Sequence, residues 1–235
     1  MYLELCRRGV SWLGVVRYHL SQFEYAAAST VLSQGIAQCK NEFTKQRALF
    51  DQCSFVLALS QHSEVMAEKA LGRWYELTRS FKDIETRGVE DSSTRICMKA
   101  TMFIVMDKPE EAFALFQKEQ EGMEMNQSAA EIWLLSGVLS NQSDDALQAV
   151  EAVLNRFCDT AQSIVGCLFL AKKDMITHEV TTALTHLKQA ISLHASTVAS
   201  DMLHSAYLKT FYIESLLFLA SLYRDPLQDT ERALK

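Results

Sequence analysis

The chain has 235 residues, of which 49% are hydrophobic, and it carries a formal net charge of −6. This length is enough for one large domain or for a stacked array with a continuous core. The basic residues occur singly or in pairs, so no basic stripe is present to bind a phosphate backbone, and direct nucleic-acid binding is not expected. The longest apolar run, residues 164–171, is far shorter than the roughly 20 residues that a membrane-spanning helix needs, so no membrane association is expected.

Helices are predicted along almost the whole chain. It contains 2 Pro and 8 Gly, and good helix formers fill long uninterrupted stretches. Residues 12–18 predict a first helix and residues 22–31 a second, which together make one antiparallel pair. A looser pair follows within residues 43–81, with its turn at residues 61–63.

The clearest pair is ICMKATMFIVMDKPEEAFALFQK, residues 96–118. Apolar residues at spacings of three and four predict its first helix, which the turn at residues 107–109 ends. Pro109 suits the first turn of a second helix, where its missing N–H costs nothing, and Glu110 and Glu111 are favourable near the positive helix end. The apolar residues that mark the two helices are Ile96, Ala100, Phe103, Ile104, Ala112, Phe113, Leu115 and Phe116.

Two further pairs are predicted at residues 128–157, around a polar turn at 141–143, and at residues 160–195. Residues 201–224 predict a longer helix, after which another helix begins and the sequence stops at Lys235. A helix that has just begun cannot bury its own apolar side. We therefore expect the chain to be a piece of a longer protein.

The pairs recur with a ragged period. Their alanine anchors are Ala27, Ala67, Ala112, Ala146 and Ala183, separated by 40, 45, 34 and 37 residues. Ala100 and Ala171 each precede an anchor by twelve residues. This period and the Trp/Leu/Gly/Tyr and Ala…Phe sets resemble tetratricopeptide (TPR) repeats, which are about 34 residues long. The resemblance implies an all-α fold, an α-solenoid of antiparallel helix pairs in a right-handed superhelix. The expected units are 7–41, 43–82, 92–121, 127–158, 160–195 and an incomplete 201–235.

No catalytic, cofactor or metal site is predicted. His178 begins like a zinc-protease helix, but position 182 is Thr where a second His is needed. His178, His186 and His194 are eight residues apart, about 12 Å along a helix, which is too far for one metal ion. The cysteines show no C-x-x-C spacing, which favours buried free thiols in a reducing compartment over metal knuckles or disulfides. They are Cys6, Cys39, Cys53, Cys97, Cys158 and Cys167.

Three other patterns allow a structural and a functional interpretation. Met98, Met102 and Met106 lie four residues apart, which favours packing between units over a groove for a partner helix. The tryptophans at positions 12, 74 and 133 are interpreted as packing residues rather than ligand-stacking residues. The acidic pairs 110–111 and 144–145 follow turns, so helix capping explains them better than acid–base catalysis does.

The predicted function is therefore protein recognition. Stacked helix pairs curve, and successive first helices line a concave groove that can hold an extended peptide or a helix from another protein. The candidate partner-binding residues are basic positions on first helices, away from the packing face: Arg17, Arg47, Arg95 and Lys99. The alternative for each of them is an ordinary solvated charge.

A narrower resemblance rests on the order of the units, on ICMKATMFIVMDKPEEAFALFQKEQ and on ALTHLKQAISLHA. These stretches are similar to the Zip-four or Spo-twenty-two family of meiotic TPR scaffolds. The resemblance implies a nuclear, chromosome-associated scaffold that promotes crossover formation and synapsis. It carries no individual binding residue over to this chain.

Two classes of function stay open at this point. The first is the non-catalytic scaffold, in the nucleus or alternatively the cytoplasm. The second is a docking or regulatory TPR domain of a larger enzyme, or of a ubiquitin-ligase or chaperone-type assembly. The second class predicts a catalytic region encoded outside residues 1–235.

Overall fold

A computed structural model describes residues 12–22, 24–38, 44–80 and 92–196, together with residues 216, 217, 220 and 221. Throughout these ranges the chain is helical and contains no β-strand, which confirms the predicted all-α class. The ten main helices are α1 (Trp12–Ser21), α2 (Tyr25–Gln38), α3 (Thr44–Ser60), α4 (Glu64–Ser80), α5 (Ser92–Val105), α6 (Pro109–Glu119), α7 (Gln127–Leu139), α8 (Asp144–Leu154), α9 (Ile164–Ile176) and α10 (Val180–Ser196). A 3₁₀ turn, Thr160–Gln162, precedes α9.

Consecutive helices pack in five pairs, α1 with α2 through α9 with α10. In the four pairs after the first, the second residue past the end of the first helix has a left-handed backbone. These residues are His62, Asp107, Asn141 and His178, with φ between 52° and 62°. None is glycine, but Asn, Asp and His tolerate this region better than other side chains do. The predicted turns at 61–63, 107–109 and 141–143 are confirmed.

One backbone hydrogen bond closes every turn in the same way. The amide after the left-handed residue donates to the carbonyl five residues earlier, as in a Schellman helix end. The bonds are Ser63 to Ala58, Lys108 to Phe103, Gln142 to Gly137 and Glu179 to Asp174, and Glu24 to His19 repeats the pattern between α1 and α2. The five accepting carbonyls are 39, 45, 34 and 37 residues apart. The ragged period is therefore a property of the folded chain.

Burial repeats with the same period. The residue three positions before each accepting carbonyl is 0% exposed in all five pairs: Val16, Phe55, Ala100, Leu134 and Ala171. This position faces the neighbouring helices in every pair, and its side chain ranges from Ala to Phe. The repeat therefore preserves burial and turn geometry more than it preserves residue identity.

One of the predicted alanine anchors is off by one residue. Ala67, Ala112 and Ala183 are fully buried as expected, and each lies nine residues after the carbonyl that closes its turn. In α2 this position is held by Ala28, which is 1% exposed, and not by Ala27, which is only partly buried. Ala146 of α8 is in register but only partly buried, and the residue after it, Leu147, is buried.

The side chains form two cores that meet at α5. Met98 and Met102 belong to the N-terminal core, which also includes residues of α1 to α4. Ile96 and Ala100 belong to the C-terminal core, which continues through α6 to α10. Because Met98 and Met102 are at most 1% exposed, the interpretation of the methionines as packing residues is confirmed for both. The three tryptophans also pack against these cores.

Extensive contacts among the described helices join members of the same pair or of adjacent pairs. Polar contacts add to this packing. Lys108 Nζ donates to Glu64 Oε1 at 2.6 Å, between the second and third pairs, and Ser163 Oγ donates to the buried Glu131 at 3.0 Å, between the fourth and fifth. The predicted unit at 201–235 lies outside the described residues, apart from four helical positions.

Candidate interaction groove

Two of the four predicted partner-binding residues lie together on α5. Arg95 and Lys99 line one groove, to which Arg17 on α1 does not contribute. Arg17 is exposed. Arg47 lies in α3, and its side chain is outside the described part of the chain.

The groove, of about 440 Å³, lies between the second and third helix pairs. Its walls are α4 and α6, the second helices of these pairs, and its floor is α5. The sequence predicted that these two cations would lie on a surface formed by successive first helices. The groove is instead bounded by two second helices and one first helix. The lining residues are Glu68, Leu71, Gly72, Tyr75, Arg95, Ile96, Lys99, Met102, Leu115 and Glu119.

Aromatic rings hold both cations of the groove. The guanidinium carbon of Arg95 lies 5.1 Å from the ring centroid of Tyr75, and Lys99 Nζ lies 5.6 Å from that of Phe103. Such cation–π contacts position the charge without neutralising it. Among the described residues, no carboxylate oxygen lies within 4.0 Å of either cation.

The two acids of the groove each lie near a lysine on a wall helix or its turn. Glu119 Oε1 is 3.9 Å from Lys118 Nζ. The pKa of Lys108 is raised, mainly by its hydrogen bond to Glu64, with a smaller contribution from Glu68. The groove therefore has two acids at its walls and two cations at its floor, and neither cation has a carboxylate oxygen within 4.0 Å in the described part of the chain.

Gly72 leaves the α4 wall open. It is exposed in the middle of the helix, and a Cβ atom added there would have nothing within 4 Å. Glycine inside a helix costs about 1 kcal/mol relative to alanine, and a close approach of another group to the backbone is one use of such a position. No described part of this chain makes that approach.

The next seam along the chain shows one way in which this space is filled. We call the α4–α5–α6 groove the open seam, and the corresponding α6–α7–α8 region the filled seam. Equivalent positions are those at the same distance along the chain from the carbonyl that closes the turn of their own pair. By this count Glu68 is equivalent to Phe113, Leu71 to Phe116, and Lys99 to Trp133. The Trp133 ring stacks on Phe116 at 5.8 Å and lies 6.2 Å from Phe113. Three aromatic rings thus occupy positions that in the open seam hold two charges and one leucine.

A smaller cavity of about 250 Å³ lies among the ends of α7, α8 and α9. Lys172, which lines it, donates from Nζ to the Val138 carbonyl at 2.6 Å. This bond links α9 to the C-terminal end of α7. Because its cation is committed to a backbone acceptor, the cavity is better explained by packing between pairs than by ligand binding.

Sequence reasoning found the cations of the groove but missed its walls. Gly72, Tyr75 and Leu115 come from two further helices, and a helix pattern read along the chain does not show which surfaces of different helices meet. One signal was present in the sequence. Gly72 interrupts a long stretch of good helix formers without any turn beside it.

The other candidate chemical groups have structural roles. His178 forms a turn, and His186 Nδ1 lies 2.8 Å from Asp174 Oδ2 across the α9–α10 pair. Within the described ranges no three His, Cys, Asp or Glu residues are grouped to hold a metal ion. The acidic pairs at 110–111 and 144–145 lie in the first turns of α6 and α8, where negative charge is favourable. The capping interpretation was wrong, because the N-cap residues are Lys108 and Ser143.

The four described cysteines are free thiols, and the predicted burial is confirmed for Cys53, Cys97 and Cys167, whereas Cys158 is only partly buried. Burial raises the pKa of Cys53 to about 12 and that of Cys167 to about 11. A thiol must lose its proton to act as a nucleophile, so these two are poorly suited to that role. Cys6 and Cys39 lie outside the described residues.

Comparison with known proteins gives no relative for this chain. No protein-family model, no curated protein and no solved structure matches it. Within the part of the chain that the structure describes, none of the helices has the length and apolar character required to cross a membrane.

Proposed function

We propose that the chain is a non-catalytic scaffold that binds other proteins. The observation that carries this proposal is the open seam, where a space filled by aromatic side chains in the neighbouring pair is left accessible beside two cations. A groove of 300 to 1,000 Å³ with an apolar lining and a few placed polar groups is typical of a binding site. Helix-pair arrays typically use such surfaces for other proteins.

The proposal includes a finer architecture, a TPR-like solenoid with a right-handed superhelix. Five pairs closed by the same turn, with packing between neighbours, support it. Small-angle X-ray scattering tests it, because a compact chain of this length has a radius of gyration of about 17–18 Å. An array requires a clearly larger value, whereas a value in that range would favour a closed bundle.

Affinity purification from the cells that express the protein tests the scaffold function without reference to the groove. The tagged full chain should recover at least one protein in near-stoichiometric amount, and the tag alone should not. Recovery of no protein above background, with and without chemical cross-linking, would contradict the proposal.

The meiotic scaffold is the more specific form of this proposal, and the sequence resemblance described above supports it. It requires expression in germ-line or sporulating cells and nuclear location. Transcripts abundant in non-dividing tissue would remove it. The alternative, a docking domain of an enzyme or of a ubiquitin-ligase or chaperone-type assembly, requires a catalytic motif in the adjoining reading frame.

A further inference from the structure

We infer that the open seam receives an aromatic side chain of a partner protein, carried on a peptide segment beside a carboxylate. This inference rests on the proposed scaffold function and specifies the partner's chemistry. It follows from the comparison of two equivalent seams, from the charges on α5 and from the open position at Gly72.

The first step concerns shape. The filled seam closes around three aromatic rings, of which Trp133 comes from the floor helix. Lys99 stands at the Trp133 position in the open seam, and its side chain extends over Phe103. The space that an indole occupies in one seam is therefore not occupied by an aromatic ring of the chain's described part in the other. An incoming aromatic ring would bury roughly 150–250 Å² of its surface there.

The second step concerns the lining of this space. Leu71 and Leu115, both partly buried, supply apolar surface from the two wall helices, and Met102, which is 1% exposed, lies beneath them in the floor helix. Methionine adapts to the shape of its neighbours and makes favourable contacts with aromatic rings. Gly72 allows the partner's backbone to approach α4 closely, because no Cβ stands in the way. The lining therefore fits one large aromatic anchor better than it fits a polar side chain.

The third step concerns charge. Arg95 and Lys99 are fixed over rings and have no carboxylate within 4.0 Å in the described ranges. The Arg95 guanidinium offers five N–H donors in a planar fork that matches a carboxylate. The groove also holds Glu68 and Glu119 on its walls, so the two cations are a local feature of its floor helix. An Asp or Glu beside the aromatic anchor would supply a carboxylate partner for these two cations.

A random library of 12-residue display peptides, selected against the folded full chain, tests the inference. The enriched sequences should share a Trp or Phe with an Asp or Glu close by. A synthetic peptide of that sequence should bind in fluorescence anisotropy. Replacing its aromatic residue by Ala should weaken binding about 30-fold, the loss expected for a buried anchor.

Variants of the chain locate the binding site. Gly72→Trp places an indole in the groove and should weaken peptide binding about 30-fold. Arg95→Glu should weaken it at least tenfold and reduce its dependence on salt. Arg156→Glu is the matched control, since it makes the same change at an exposed arginine after α8, outside the groove, and should leave binding unchanged. Circular dichroism verifies that each variant is folded.

Several outcomes overturn the inference. The inference is contradicted if no peptides are enriched, or if their consensus lacks an aromatic and an acidic residue. It is also contradicted if the peptides bind the Gly72→Trp and Arg95→Glu variants as tightly as the unchanged chain. The scaffold function would survive these outcomes if cellular purification still recovered a partner. If only the purification fails, the proposed scaffold function is contradicted, whereas the peptide-binding site in the open seam is still supported.

Two rival occupants are distinguished by the same materials. If residues 81–91 of this chain occupy the groove, replacing them by a Gly/Ser linker should raise peptide affinity about tenfold. If a second copy occupies it, light scattering should show a dimer that Gly72→Trp converts to a monomer. Either result overturns the assignment to a partner protein.

Discussion

The open and the filled seams are built from equivalent positions of adjacent helix pairs, and they use them differently. The filled seam stacks Trp133 on Phe116 and places it near Phe113. The open seam places charges at the positions of two of these rings and keeps a groove. The comparison shows that equivalent positions of adjacent helix pairs can hold either a packed aromatic cluster or a groove while the turns stay the same.

Substitutions in the two seams should also change different quantities, the free energy of unfolding in one and the affinity for a partner in the other. Side chains of the filled seam lie inside the C-terminal core, so changes there should alter the free energy of unfolding. In the open seam Glu68, Gly72 and Lys99 are exposed, so changes at these positions should alter binding and leave the fold intact, whereas Ile96 and Met102 belong to the cores.

The largest effect is expected from the aromatic anchor of the filled seam. Trp133 is 6% exposed, and Trp133→Ala should lower the free energy of unfolding by about 3–5 kcal/mol because it leaves a large cavity. The equivalent change in the open seam, Lys99→Ala, should alter it by less than about 0.5 kcal/mol. Urea denaturation followed by circular dichroism measures both. Similar losses in the two variants would refute the distinction between the seams.

The glycines of the two seams give a second matched pair with opposite signs. A Cβ at Gly137 would lie 2.7 Å from Leu147 Cδ2 and 2.9 Å from Phe113 Cε2. Gly137→Ala should therefore cost about 1–3 kcal/mol through overpacking.

Gly72→Ala, in the open seam, meets no atom within 4 Å and should stabilise the protein by about 0.5–1 kcal/mol through helix propensity. The melting temperatures of both variants provide the measurement. A destabilised Gly72→Ala protein would mean that the open seam is occupied in the isolated chain.

A pH-dependent effect is expected under alkaline conditions and compares the two cores rather than the seams. Burial raises the pKa of Cys53, in the N-terminal core, from 9.0 to about 12, and that of Cys167, in the C-terminal core, from 9.0 to about 11. Above pH 9 the unfolded chain releases these protons before the folded chain does, so stability should fall as the pH rises. Below pH 9 the two thiols should have no effect.

Urea midpoints measured between pH 8 and pH 10.5 test this expectation. Cys53→Ala and Cys167→Ala should each flatten the decline. A decline that is unchanged in both variants would show that other groups cause it.

Local sequence signals predicted the helices and turns well, because these depend on neighbouring residues. Pro109 opens α6 as expected, and the polar residues at 141–143 form the predicted turn. The anchor at Ala27 was wrong by one residue, since two adjacent apolar positions fit a helical period equally well and tertiary packing selects one. Ala146 is in register but less buried than Leu147 beside it. The groove was less accessible to prediction, because Tyr75, Met102 and Leu115 meet only after three helices have packed.

The position of α5 in both cores has a mechanical consequence. Ile96 and Met102 both line the groove, although one belongs to the C-terminal core and the other to the N-terminal core. A segment bound in the groove would contact residues of both cores at once. Binding would thereby restrict the motion of the helices of one core relative to those of the other.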